Sequence, residues 1–265
     1  MLQSNGRPER LLIAGRDGSG KTKAWWDIAE WLDRTESPAQ VYVIDPDLKS
    51  RFDPRYPLPN VHIFDELEVW NDYKAAAIQV RQLGEKGRGD WIVVDMMNRV
   101  WEAAQAGHSE MVFGKDVDEL MIAWRKKSMD DEKAGGSPFS SAYGADWQVI
   151  NALYNKFMFE VTRFPGNVLM TSALDTVTED ERDKEIVKRY SKFGVKPAGQ
   201  KRLGHIPADL LWFQETNSGY VMTQMRGTGR DPNDALDPGV YSGVYNRRWR
   251  DCMFTIGKLA SLTSV

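Results

Sequence analysis

Eight residues near the start of the chain constrain its fold more than any other segment. Gly15-Arg16-Asp17-Gly18-Ser19-Gly20-Lys21-Thr22 fits the pattern G-x-x-x-x-G-K-[ST] at every fixed position. The segment follows a short apolar run (10–14) and precedes a stretch with the apolar spacing of a helix (21–32). Glycines let backbone N–H groups surround an anion, and the positive end of the following helix adds to the attraction. The sequence therefore predicts a strand, a phosphate-binding loop and a helix, in that order.

Apolar runs spaced along the chain indicate the architecture around this loop. They cover 41–44, 61–64, 91–94 and 168–171, and stretches with helical spacing separate most of them. Unbroken apolar runs are typical of strands buried on both faces, so we expect a mostly parallel sheet with helices on both faces. Two later runs, near 210–214 and 220–225, flank Asn217-Ser218-Gly219 and predict a C-terminal hairpin.

Composition excludes several classes of protein. With 265 residues, 42% of them hydrophobic and 28% charged, the chain has the composition of a globular domain. The net charge of −3 excludes a globally basic nucleic-acid coat. A single cysteine and three scattered histidines exclude a disulfide scaffold and a multi-cysteine zinc site. Nothing resembles a membrane span or a signal core, so we expect a cytoplasmic protein without a membrane partner. We expect a core over 1–230 and, over 231–265, a tail that docks on the core or on a neighbouring subunit.

The loop predicts ATP and Mg²⁺ as cofactors, bound by Gly15 through Lys23. Lys21 is expected to reach the β- and γ-phosphates, and the Thr22 hydroxyl to bind Mg²⁺. Such a loop also needs a carboxylate, at the end of another strand, that holds Mg²⁺ through water. Asp95, directly after the run 91–94, is the candidate, and Asp45 at the end of 41–44 is its competitor. A structural helix cap is the alternative role for Asp95.

The order of these signals resembles that of the RecA-type core ATPases, over about residues 8 to 230. In that family the P-loop strand is followed by a strand with a carboxylate base, a third strand, the Mg²⁺-aspartate strand and a strand ending in a polar sensor. The chain is most similar to small RecA-like ATPases encoded by bacteriophages, and the stretch 195–205 shares that similarity. The resemblance implies an α/β RecA-like P-loop NTPase fold.

The resemblance also implies roles for residues after two strands. Asp47 stands where the family places a glutamate base, one methylene longer, and is expected to activate water; a loop-bracing role is the alternative. Thr171 and Ser172 end the sensor strand, where a hydroxyl, assigned here to Ser172, would contact the γ-phosphate or the lytic water. Ordinary polar residues at a strand end are the alternative.

Two basic regions suggest partners. Residues 184–202 carry seven lysines and arginines, with Tyr190 and Phe193 among them, where the family has a DNA-binding loop. Basic and aromatic side chains together favour binding of single-stranded DNA. The alternatives are a solvated helix face and a subunit contact. Arg226 and Arg230 follow the last strand, where the family's basic residues reach a neighbour's γ-phosphate. A glycine turn with exposed arginines is the alternative.

These inferences converge on an ATPase of bacteriophage recombination, replication or repair. We expect it to hydrolyse Mg·ATP in a ring or filament of its own copies, on single-stranded DNA. The alternatives are a P-loop kinase acting on a small substrate, a DNA-packaging motor component, and a nucleotide-binding module without catalysis.

Overall fold

The computed structural model describes residues 8–130, 139, 145–178, 183–207, 209–216, 219–226 and 244–245. Ten strands occur in these ranges: β1 (Arg10–Gly15), β2 (Val41–Ile44), β3 (Val61–Phe64), β4 (Trp91–Val94), β5 (Asn167–Ser172), β6 (Leu174–Thr176), β7 (Val195–Pro197), β8 (Asp209–Thr216), β9 (Gly219–Arg226) and β10 (Val244–Tyr245). Eight of them form one sheet in the order β10-β9-β8-β1-β5-β4-β2-β3. The six from β8 to β3 are parallel, whereas β9 pairs antiparallel with β8 and β10.

Helices cover both faces of this sheet. Those in the described ranges are α1 (Lys21–Arg34), α2 (Trp70–Leu83), α3 (Met97–Phe113), α4 (Val117–Asp130), α5 (Ala145–Thr162) and α6 (Lys184–Tyr190). Alternate residues of β1 enter two separate cores, because successive side chains of a strand point to opposite faces. Leu11 and Ile13 pack with α1, while Leu12 and Ala14 pack with α2, α3 and α5. The predicted α/β fold, a mostly parallel central sheet with helices on both faces and a C-terminal β-hairpin, is confirmed.

The strand order determines which residues can meet at the carboxyl edge of the sheet. β5 lies between β1 and β4, with Ala14 opposite Ser172 and Val94 opposite Met170. The end of β5 is therefore next to both the phosphate-binding loop, which follows β1, and Asp95, which follows β4. Ligands of open α/β sheets bind at this edge.

A small antiparallel ribbon, β6 with β7, extends from the end of β5 and was not predicted. Between its strands lies α6, whose first N–H groups are capped by the Asp183 carboxylate. α6 buries Ile186 and Tyr190, each 2% exposed, in the core. The prediction that Tyr190 could stack on a base is therefore wrong, since the ring is buried. Phe193 packs edge-on against Trp212, at 6.1 Å between ring centroids.

One carboxylate connects the amino ends of β2 and β4, on the side of the sheet opposite to the carboxyl edge described above. Asp90, fully buried just before β4, accepts hydrogen bonds from the backbone N–H groups of Gln40 and Glu85, each at 2.9 Å. It also accepts from Arg88 Nε and Nη2, each at 2.6 Å. This cluster fastens the starts of β2 and β4 to the turn after α2.

Two further observations bear on the predicted organisation. None of the helices in the described ranges has the length and apolar composition that crossing a bilayer requires. Of the predicted tail, 231–265, the structure describes only β10, which adds a two-residue strand next to β9. The remainder of the tail lies outside the described residues.

Candidate functional site

The loop after β1 presents backbone N–H groups to the end of the sheet. Gly18 and Gly20 have φ of 76° and 91°, in the left-handed region that favours glycine. Gly20 is the N-cap of α1, without a side-chain cap, and the first turn of α1 carries no acidic residue. The first N–H groups of α1 and the positive end of its dipole are therefore available to an anion.

Close packing at the start of the loop explains the first glycine of the pattern. A Cβ atom on Gly15 would lie 2.3 Å from Ser19 Oγ and 2.8 Å from the carbonyl oxygen of Phe213 in β8. Ser19 is 1% exposed, and its Oγ has no hydrogen-bond partner among the described residues. A buried hydroxyl that lacks a partner costs free energy, so this atom suits an anionic ligand whose oxygens it could contact.

Lys21 points back over the loop. Its Nζ donates to the carbonyl oxygens of Gly15 at 2.9 Å and Arg16 at 2.8 Å, and the residue is only 5% exposed. Burial lowers the pKa of this ammonium, and the nearby Asp95 carboxylate partly opposes that shift. A cation so held adds charge where the loop's N–H groups converge.

A cavity of about 660 Å³ opens beside the loop. Its lining brings together the loop, the start of α1 and the residues after β2 and β4: Asp17, Gly18, Ser19, Gly20, Lys21, Thr22, Lys23, Asp45, Asp47, Lys49, Asp95 and Met96. Gly15, Arg16 and Ser172 are not in this lining. Lys23 is also engaged with Asp27, at 2.9 Å.

Asp95 is held by two neutral donors. It is 3% exposed; Trp25 Nε1 in α1 donates to its Oδ2 at 3.0 Å, and Thr171 Oγ1 in β5 donates to its Oδ1. Sequence reasoning missed the Trp25 contact, because the indole gives only the apolar signal of a buried helix face. The peptide bond between Asp95 and Met96 is cis.

The oxygen donors that line the cavity fit Mg²⁺. This ion prefers carboxylate and hydroxyl oxygens and is usually bound by one or two carboxylates together with substrate phosphates. Asp95 and Thr22 offer such oxygens in one cavity. Among the described residues, no three His, Cys, Asp or Glu side chains form a metal-binding group by themselves. The site therefore suits a metal that arrives with a phosphate.

Asp45 and Asp47 differ in their surroundings. The Asp45 carboxylate is 1% exposed and accepts from the backbone N–H groups of Ser50 at 2.7 Å and Asp47 at 3.2 Å, which braces the loop. Burial raises the pKa of Asp45. The Asp47 carboxylate instead accepts from Arg99 Nε at 3.0 Å and Lys49 Nζ at 3.2 Å. No sequence signal indicated the Arg99 contact, which joins residues 52 positions apart.

The Ser172 hydroxyl connects β5 to the ribbon. It donates to the carbonyl oxygen of Ala198 at 2.8 Å, beyond the end of β7. The backbone N–H of Ala173 lies 3.4 Å from Asn98 Oδ1 in α3, which strengthens the same junction. Contact between Ser172 and a nucleotide remains a prediction.

The basic residues predicted to contact partners are placed in part. Among those of 184–202, the exposed ones are Lys184, Lys188, Lys192, Lys201 and Arg202, whereas Arg189 and Lys196 are half-buried. Arg226 is the last residue of β9, with its backbone paired to Leu210. Arg230 lies outside the described residues. The roles of both arginines remain predictions.

Comparison with known proteins adds little beyond the fold. No family model matches the chain, and no curated protein matches it. Among solved structures it is similar to the RadB recombinase, with a TM-score of 0.42 and 14% identity over 84% of each chain. It is also similar to a DnaB-like replicative helicase, with a TM-score of 0.42 and 11% identity over 83% of this chain and 52% of that one. Activity and partners therefore have to be inferred from the residues of the site.

Proposed function

We propose that the chain is a RecA-like ATPase that hydrolyses Mg·ATP in an oligomer of its own copies, on single-stranded DNA, in phage recombination, replication or repair. Nucleotide binding is supported by the cavity in which the phosphate-binding loop, Lys21 and Asp95 meet. Its volume of about 660 Å³ lies within the usual range for small-molecule ligands.

The proposal gives roles to the loop and to four side chains of the lining, those of Lys21, Thr22, Asp47 and Asp95. The loop N–H groups and Lys21 bind the phosphates, and Thr22 and Asp95 hold Mg²⁺, which when bound neutralises phosphate charge. Asp47 accepts a proton from the attacking water. The choice of Asp47 over Asp45 is supported by their partners. The Asp45 carboxylate is 1% exposed and is held by two backbone N–H groups, whereas the Asp47 carboxylate is paired with the exposed side chains of Arg99 and Lys49.

Removing the Lys21 ammonium tests the nucleotide site. Lys21→Ala should lose nucleotide binding, measured by calorimetry with ADP and Mg²⁺, and should lose ATP hydrolysis. Lys126→Ala removes an exposed lysine of α4 and should leave both unchanged. Wild-type binding and turnover in Lys21→Ala would rule out the phosphate site.

The DNA part of the proposal rests on the exposed basic residues of 184–202. Because Tyr190 is buried, phosphate contacts rather than base stacking by this ring would provide the affinity. ATP hydrolysis should therefore be faster with single-stranded DNA than with duplex DNA or none. Equal rates in all three, together with phosphoryl transfer to a small acceptor, would favour a kinase.

A matched pair of double variants locates the DNA-binding residues. Lys201→Ala with Arg202→Ala should weaken DNA binding and flatten its salt dependence, by about 0.7 in the log–log slope for each phosphate that is no longer neutralised. Lys126→Ala with Lys127→Ala removes the same charge from α4 and should leave the slope unchanged. Equal slopes in the two variants would mean that the 201–202 pair is only solvated.

A further inference from the structure

Both oxygens of the Asp95 carboxylate are engaged by donors that carry no charge. The indole N–H of Trp25 engages one oxygen and the hydroxyl of Thr171 the other. No cation of the described residues forms an ion pair with Asp95, although the carboxylate is 3% exposed. Neutral donors satisfy the hydrogen-bonding capacity of a buried carboxylate without forming an ion pair with it, although the Lys21 ammonium lies near enough for the two charges to attract each other. Each oxygen also keeps a free lone pair, because a carboxylate oxygen accepts two hydrogen bonds.

The two donors are themselves fixed. Trp25 is fully buried and stacks on Trp26, with ring centroids 4.3 Å apart and planes inclined by 26°. Thr171 is fully buried in β5, the strand between the phosphate-loop strand and the Asp95 strand. A carboxylate held from a helix on one side and a strand on the other cannot rotate away from the cavity without breaking a hydrogen bond.

We infer that Trp25 and Thr171 are positioning residues, which keep the Asp95 carboxylate oriented and available for Mg²⁺. This inference rests on the proposed function, since it requires a metal site at Asp95. Neither residue touches the nucleotide in this account; both act through Asp95. Their removal should therefore weaken retention of the metal and leave metal-free nucleotide binding intact.

Trp25 and Trp26 offer a matched pair of substitutions. Both indoles are fully buried and adjacent in α1, but Trp26 Nε1 has no hydrogen-bond partner among the described residues. Trp25→Phe and Trp26→Phe remove the same atoms from the same core, and only the first removes a donor to Asp95. Metal affinity of the ADP-loaded protein is measured with Mn²⁺ by electron paramagnetic resonance, and ADP affinity in EDTA by calorimetry.

Trp25→Phe should weaken Mn²⁺ binding by about 10-fold or more relative to Trp26→Phe, as expected when a hydrogen bond to a charged group is removed. ADP affinity in EDTA should be the same in wild type and both variants. Equal Mn²⁺ affinities in the two variants would overturn the role of Trp25.

Thr171 provides a second test that does not depend on Trp25→Phe folding. Thr171→Val keeps the shape of the side chain and removes the hydroxyl, so it should weaken Mn²⁺ binding. Thr171→Ser keeps the hydroxyl, so its Mn²⁺ affinity should be close to that of wild type. Equal Mn²⁺ affinity in Thr171→Val and wild type would overturn the role of Thr171. If wild-type protein binds no ADP at all, the proposed function fails, an outcome distinct from failure of this inference.

Discussion

Replacing Asp90 by alanine should destabilise the fold far more than removing the other carboxylate that contacts the same arginine. Asp90 is fully buried and receives four hydrogen bonds, two from Arg88 and two from backbone N–H groups. Glu85 also pairs with Arg88, at 2.6 Å, but its side chain is 67% exposed. The two carboxylates therefore differ in burial and in the number of hydrogen bonds that they accept.

The magnitude follows from the groups that each change leaves behind. Asp90→Ala leaves the N–H groups of Gln40 and Glu85 without their acceptor. It also deprives the Arg88 guanidinium, 20% exposed, of its buried carboxylate partner. Breaking a buried ion pair from one side costs about 3–5 kcal/mol. Glu85→Ala breaks an exposed pair and should cost about 0–1 kcal/mol.

Urea denaturation, followed by far-ultraviolet circular dichroism, measures both free energies of unfolding. Asp90→Ala should lower the free energy by about 3 kcal/mol more than Glu85→Ala does. Its ADP affinity below the unfolding transition should equal that of wild type, because five residues of extended chain, about 16 Å, separate Asp90 from Asp95. Two losses within about 1 kcal/mol of each other would refute the reasoning, since burial and hydrogen bonding of the carboxylate would then not decide the cost.

Three other changes probe the site. Gly15→Ala should lower the free energy of unfolding, measured in urea, by about 1–3 kcal/mol and weaken ADP binding, because its Cβ meets the Phe213 carbonyl oxygen at 2.8 Å. Combining Gly15→Ala with Ser19→Ala relieves only the contact with Ser19 Oγ and should recover only part of the stability. Full recovery in the double variant would contradict this account. Burial raises the pKa of Asp45 from 3.8, so the folded state retains that proton to higher pH than the unfolded state, and stability should fall as pH rises from about 4. Asp45→Asn should remove this contribution to the pH dependence of the free energy of unfolding. An unchanged slope of that free energy against pH in Asp45→Asn would contradict the assignment to Asp45. Inactive Arg226→Ala and inactive Lys21→Ala proteins, when mixed, should regain some hydrolysis if Arg226 completes a neighbour's site, and no recovery despite proven subunit exchange would exclude that role.

Local patterns predicted the parts of this molecule that repeat or that carry a fixed spacing. The central strands of the parallel sheet contain runs of three or four apolar residues, and the phosphate-binding loop is contiguous, so the sequence predicted both. The β6–β7 ribbon was missed, because strands of three residues, 18 residues apart, carry no periodic signal. Tyr190 was misassigned because the charged residues around it concealed the buried side of a short helix.

Contacts between distant positions were beyond the reach of such patterns. The partners of Asp95 lie 70 and 76 residues away, and the cation nearest Asp47 in α3 lies 52 residues away. Which donor meets which carboxylate depends on the order of strands in the sheet. Thr171 and Ser172 were both recognised at the end of a strand, but only the fold showed that Thr171 reaches Asp95 while Ser172 reaches Ala198.

The contrast between the buried sheet and the exposed ribbon has a consequence for the timescales of motion. Every residue of β4 and β5 is buried, so their amide protons should exchange with solvent only through the rarest openings of the molecule. In the ribbon Asp175 and Thr176 are exposed, and so is the outer face of α6, so these residues should exchange through frequent local openings. Thr171, the donor to Asp95, should therefore belong to the slowest-exchanging unit, and we expect the exposed basic residues of α6 to rearrange many times while that unit stays closed.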